Sequence, residues 1–162
     1  MMRVSTTYNG FIPKMPQRML NSTLRDSYTE LGEHFFETNL PRRFTVSGAW
    51  MLGYAKRSPR YTKRKEKKFG HVLPLVYSGE TRQRALSESF TRIKAIAKKG
   101  VGSLALAVNV PALNFKHPKG PNTREEFERI ADREIGPLEI VLEKAASRRF
   151  GSYAETQSFK AG

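Results

Sequence analysis

Cysteine is absent from the 162 residues, and tryptophan occurs once. Without thiols, disulfides and thiolate metal sites are excluded, and such a chain fits manufacture in an intracellular compartment. The three histidines, His34, His71 and His117, lie far apart in sequence. No apolar run approaches the roughly 18 residues that a membrane span needs, so nothing is expected to span a membrane. The first residues hold one arginine and no apolar block of signal-peptide length, so a secretory signal is not expected. Apolar residues are scarce too, 38% against about 45–50% in globular chains by a count that includes glycine. One domain over residues 1–162 is expected, with a modest core and with extended arms or large interfaces. Acids are the other shortage. Only 15 Asp and Glu face 29 Lys and Arg, giving a net charge of +14 and a pI near 10.3. That excess points to an anionic partner: nucleic acid, an acidic protein surface or a membrane surface.

Half of that charge sits in one place. Between Lys56 and Lys68 stand eight cations (Lys56, Arg57, Arg60, Lys63, Arg64, Lys65, Lys67, Lys68) and one acid, Glu66, a local +7. Unpaired charges lose several kcal/mol each on burial, so the run belongs on a surface. Tyr54, Tyr61 and Phe69 are interleaved with it and can pack or stack. Ser58-Pro59 interrupts it, which argues against one continuous helix and leaves two turns from Tyr61; residues 56–70 are therefore read as a basic loop. No base-recognition motif accompanies the cations, so contact with phosphates or an acidic surface fits better than sequence reading. The apolar segment Val72–Tyr77 follows directly and anchors the run to a core. Ser78 then suits the N-cap of a helix through Leu86, with Glu80 in its first turn.

Elsewhere periodicity sets the elements. Residues 1–14 show no sustained period and read as an N-terminal arm. Pro16 suits the first position of a helix, and Leu20, Leu24, Tyr28, Leu31 and Phe35 form one helical face, stopped by Asn39-Leu40-Pro41. Phe44–Tyr54 could be a short strand and a helical turn. Phe90–Ala97 and Leu104–Val110 alternate as strands, with Ile93, Ala95 and Ala97 on one face and Leu104, Leu106, Val108 and Val110 on the other strand's inner face. The Lys98–Gly102 segment between them closes a β-hairpin. Thr123 and Glu126 have the spacing of a capping box. The helix they open points Phe127, Ile130, Ala131 and Ile135 inward and kinks near Gly136-Pro137. It then continues through Leu138, Val141, Leu142 and Ala145 to about Arg149. Residues 151–162, polar and small, read as a C-terminal tail. The fold class expected is α+β: two long amphipathic helices packed on a small antiparallel sheet containing a β-hairpin.

Catalytic and metal chemistry is weakly represented. Glu33, His34 and Glu37 share a helix, but no second element supplies further ligands, so surface residues are the better account. His71 and His117 sit beside glycine or proline in loops. Ser78-Gly79-Glu80 lacks the flanking glycines of a nucleophile elbow, and Lys98–Ser103 has phosphate-loop composition in the wrong order. The acids Glu125, Glu126, Glu128, Asp132 and Glu134 are expected on a solvent face, paired along the helix with Arg124, Arg129 and Arg133. No catalytic residue, metal ligand or cofactor site is therefore assigned, and an enzyme is not expected.

The order of parts carries a resemblance. An amphipathic helix is followed by Arg57, Tyr61 and Lys65 at four-residue spacing. Next come Pro74, Leu75, Val76, Ser78, Gly79 and Arg82 in a P-L-V-x-S-G-x-x-R pattern, then a hairpin and a last helix. From about Leu20 to Arg149 this layout resembles the virion-morphogenesis and tail-completion proteins of tailed bacteriophages, which work at the head–tail junction. The resemblance implies a structural subunit of a homo-oligomeric connector ring (neck, adaptor or tail terminator) around the DNA channel, assembled in the host cytoplasm and carried in the virion. Its partners would be further copies of itself, portal or adaptor and tail proteins, and genomic DNA through phosphate contacts. Leu75, Val76 and Arg82 would form an interface anchor, and the eight cations of 56–68 would contact DNA or an acidic partner. A basic nucleic-acid-binding protein of ribosomal or chromatin type is the alternative.

Overall fold

The computed structural model describes residues 2–4, 14–76, 79–115 and 122–160, with side chains among residues 14–76, 79–115 and 122–153. The fold is α+β. Strand β1 (Met2–Val4) precedes helix α1 (Gln17–His34), a wider turn over Phe35–Asn39, and the short helices α2 (Leu40–Arg42) and α3 (Val46–Met51). Helices α4 (Pro59–Phe69) and α5 (Glu80–Ala85) lead to strands β2 (Thr91–Lys98) and β3 (Val101–Val108). A 3-10 turn over Pro111–Asn114 comes next, followed by α6 (Thr123–Glu128) and the long α7 (Asp132–Lys160). The sheet order is β1-β3-β2, with β1 antiparallel to β3 and Met2 opposite Leu106. Residue contacts group into two compact units, one of Phe36–Arg92 with Ala107–Ala131, the other of Met2–Phe35 with Ile93–Leu106 and Asp132 onward.

In the second unit the apolar face of α1 follows the expected period: Leu24, Tyr28, Leu31 and Phe35 are all buried. Pro16 stands one position earlier than expected, as the N-cap rather than the first helical residue. Leu24 packs with Ala146 and Phe150 of α7, flanked by Met15, Leu20 and Ala97. Two glycines permit this packing. A Cβ on Gly102 of β3 would lie 2.0 Å from the Tyr28 ring, and one on Gly32 of α1 would lie 2.5 Å from Ile93. The hairpin closes on Lys99 and Gly100, both at positive φ, as a two-residue turn matched to strand twist requires. Ile93, Ala95 and Ala97 alternate inward as expected. Glu30 of α1 accepts from Arg148 at 2.6 Å and Arg149 at 2.8 Å.

Several boundaries differ from expectation for identifiable reasons. Pro41 does not end the helical course: it occupies the first turn of α2, where no N–H is required. The preceding turn holds an extra residue, which accommodates the five-residue step between the buried Phe35 and Leu40. Phe44–Tyr54 contains no strand; Thr45 caps α3 by accepting from Gly48 N–H. The last helical stretch breaks at Arg129–Ala131, and Pro137 falls inside α7. That break resets the helical phase, so Glu134, expected outside, is buried and Ile135, expected inside, is 42% exposed. Residues 151–160 continue α7 instead of forming a tail, and Met2–Val4 of the expected arm forms β1. Ser78 and the Gly-Pro-rich loop near His117 lie outside the described residues.

Leu31 of α1 and Leu138 of α7 are almost wholly inaccessible. Truncating either to alanine should cost about 2–5 kcal/mol in equilibrium unfolding; losses under about 0.5 kcal/mol would place them on a surface. Desolvation raises the pKa of Glu30, but hydrogen bonds from Arg149 and Arg148 and their charges outweigh it, and the net shift is downward. The stabilisation is therefore present above the ordinary glutamate range and lost as pH falls through the lowered folded value. Glu30→Gln should cost up to about 1 kcal/mol at neutral pH, the limit for a part-exposed pair. The gap from the unsubstituted chain should close in acid, as followed by urea unfolding across pH.

Candidate functional site

The basic run forms a helix, because the dipeptide read as an interruption is a start signal. Ser58 takes the N-cap and accepts from Tyr61 N–H at 3.3 Å, while Pro59 occupies the first turn with no N–H to satisfy. Gly70 ends α4 in the left-handed region at φ 69°, its N–H bonded to Glu66 O at 2.8 Å. Lys67 and Lys68 lie in the last turn, where the helix dipole favours cations. The basic loop of the sequence reading is thereby corrected to an eleven-residue helix.

One side of that helix faces inward. Lys65, counted among the contact cations, is only 5% exposed, and its ammonium donates to the Leu73 carbonyl. Its Nζ lies 5.9 Å from the Tyr61 ring centre. Burial lowers the Lys65 pKa, and the neighbouring Arg57 charge pushes it further down. Tyr61 and Phe69 share this side and are half-buried, with Phe69 stacked on His71 at 6.2 Å. The aromatics therefore serve packing within the chain.

The approach to α4 is fixed by Glu126. Sequence spacing assigns it to a capping box, but Asn122 is the N-cap of α6, accepting from Arg124 N–H. Glu126, 3% exposed, accepts from Ala55 N–H at 2.8 Å and forms a two-pronged pair with Arg57. α6 is in turn held by Arg43, fully buried, which donates to the carbonyls of Asn39, Phe127 and Arg129, each at 3.0 Å. Phe44 and Phe127 meet at 5.8 Å beside it, and Arg129 donates to the carbonyls of Leu52 and Gly53. Neither Arg43 nor Glu126 has a sequence signature, because their partners lie up to 86 residues away.

What remains outside is one-sided. At about 100° per residue, Arg60, Lys63, Arg64, Lys67 and Lys68 fall within an arc of about 140°. All five are exposed, as is Lys56 just before the helix. Glu66, the run's one acid, projects outside that arc. Arg60, Lys63, Arg64 and Lys67 meet no carboxylate among the described residues, and Lys68 leans over Phe69 at 5.3 Å. Of the expected interface anchor, Arg82 is exposed on α5, Leu75 is half-buried at φ 55°, and Val76 is buried within the chain. Lys65 and Val76 thus leave the set of residues a partner can reach, and Arg57 enters it only in part.

No cluster of three His, Asp or Glu side chains suited to a metal ion occurs among the described residues. No described helix is long and apolar enough to cross a membrane. Comparison with protein-family models, with curated proteins and with solved structures returns no match.

Glu126→Ala should leave Ala55 N–H without its acceptor and the Arg57 guanidinium with only the Ala55 carbonyl, at a cost of about 1–3 kcal/mol. Amide exchange should rise in α4 and α6 together if the carboxylate joins them. A stability change under about 0.5 kcal/mol would mean that α4 is held by other contacts.

Proposed function

We propose that the chain is a structural subunit of a bacteriophage head–tail connector ring, in the neck or at tail completion, that meets an anionic partner through α4. The observation that carries the reading is the one-sided cationic face of α4, rigidly mounted by buried groups on its inner side. A fixed, strongly charged face suits a protein whose task is to hold another surface. The order of parts and the P-L-V-x-S-G-x-x-R segment, resembling the tail-completion proteins, supply the particular setting. Portal or adaptor and tail proteins would be the neighbours, with copies of this chain closing the ring.

Oligomeric state is the test. Freed of nucleic acid, the purified chain is expected to form a closed assembly of defined mass by native mass measurement and particle imaging. A monomer that assembles only along nucleic acid would overturn the ring and favour a basic protein of ribosomal or chromatin type.

A further inference from the structure

We infer that the exposed face of α4 binds the sugar–phosphate backbone of duplex DNA, through Arg60, Lys63, Arg64 and Lys67, without reading bases. The inference rests on the reading of α4 as the contact surface given above, and it names that surface's partner.

Three observations choose this partner over the other anionic ones. First, the face has charge without apolar anchors. The large exposed apolar side chains, such as Val46, Trp50 and Val72, all lie outside residues 53–71. Protein interfaces concentrate apolar and aromatic side chains at their centre and deplete lysine there, so α4 itself offers an acidic protein no core to bury against. Second, the aromatics lie on the inner side. Single strands are held by bases stacked on exposed aromatic rings, whereas Tyr61 is half-buried beneath Lys65, and Phe69 stacks on His71. The cationic arc offers no such platform. Third, the spacing suits a duplex backbone. Arg60 to Lys67 spans about 10 Å of helix axis at about 1.5 Å per residue, and a duplex carries roughly one phosphate charge per 1.7 Å of its own axis. Several phosphates therefore face one side of α4, and the two arginines can grip them with planar guanidinium forks.

The face is also pre-set. Lys65 on Leu73, the Ser58 cap and the Arg57–Glu126 pair fix its inner side, so binding orders side-chain ends rather than the backbone. Four phosphate contacts of this kind imply a log–log salt slope contribution of about −3.6, roughly a hundredfold loss of affinity between 50 and 200 mM salt.

The experiment is a salt titration of the full chain on a duplex of about 30 base pairs. It compares the unsubstituted protein with Arg60→Gln/Lys63→Gln/Arg64→Gln/Lys67→Gln. A control, Arg92→Gln/Lys94→Gln/Lys98→Gln/Lys99→Gln, removes equal charge from β2 and the hairpin turn. The α4 variant should flatten the slope by about 3 to 4 while keeping the thermal midpoint of the unsubstituted chain. The control should change the slope by less than about 1, because only phosphate-contacting cations release counterions on binding. Equal effects of the two variants would reduce the binding to net charge and overturn the inference. So would tighter binding to a single strand of the same length, or equal loss of affinity for polyglutamate. A mass measurement on the same samples without DNA reports ring formation separately: a monomer with the expected slope change ends the connector reading alone, and a ring with an unchanged slope ends only this inference.

Discussion

A carboxylate buried to the extent of Glu126 must meet charge and hydrogen-bond donors inside the fold, because stranding it there would cost several kcal/mol. Arg57 and Ala55 N–H supply them, and that requirement governs the chain on either side. Ala55 and Arg57 become fixed points, so Ser58 arrives in position to cap α4. The need to seat Glu126 equally fixes α6, whose end is gripped by the Arg43 guanidinium through the Phe127 and Arg129 carbonyls. Arg43 is the stricter case: a fully buried guanidinium held by at least three carbonyls dictates where those carbonyls must be. α6 therefore stops after Glu128, and the chain runs extended at Arg129 before α7 begins.

Features legible in the sequence were those decided by near neighbours. The apolar face of α1 has a period that only a helix satisfies, and the alternation in β2 and β3 suits a half-buried hairpin. A two-residue turn is written into Lys99-Gly100, because glycine accepts the second positive φ without strain. Ser58-Pro59 is equally local, yet as a signal it is ambiguous between an interruption and a start. Serine followed by proline serves as readily to begin a helix, and the cations beyond it are compatible with helix when one side can be packed. The Thr123–Glu126 spacing shows the opposite fault: a genuine local pattern was overridden by a tertiary partner 69 residues distant. Once the helix ended at Glu128, one continuous phase could not carry through the next turn, and Glu134 and Ile135 exchanged places, while Leu138, Leu142 and Ala145 are buried as expected. The candidate surface was legible as charge but not as direction, since composition carries no information about which cations turn inward.

Helical rather than loop geometry changes what the cations can do. In a loop each cation would sample many positions, and an anionic partner would have to order the backbone at about 1–2 kcal/mol per residue. On α4 the spacing is fixed beforehand, so the field of the exposed cations is presented in one shape. Salt limits its reach to about 8 Å at physiological ionic strength, which makes that shape decisive: only a partner that follows the face closely meets several charges together.

Lys65 shows how the direction is chosen. A helix with cations around much of its circumference could dock in more than one rotation, each leaving a charged group against the core. Burial depresses the Lys65 pKa and Arg57 adds to the effect. The unfolded chain therefore binds more protons over the window between the lowered folded value and the ordinary 10.5, and stability climbs with pH across that window. At neutral pH the buried ammonium is thus a burden on charge grounds. The Leu73 carbonyl offsets part of it, and the apolar stem of the side chain packs as a longer aliphatic residue would. An acceptor so placed favours the rotation that turns Lys65 inward, because a cation buried without one bears the full desolvation cost. The cost of one inward lysine therefore sets the direction in which Arg60, Lys63, Arg64 and Lys67 face.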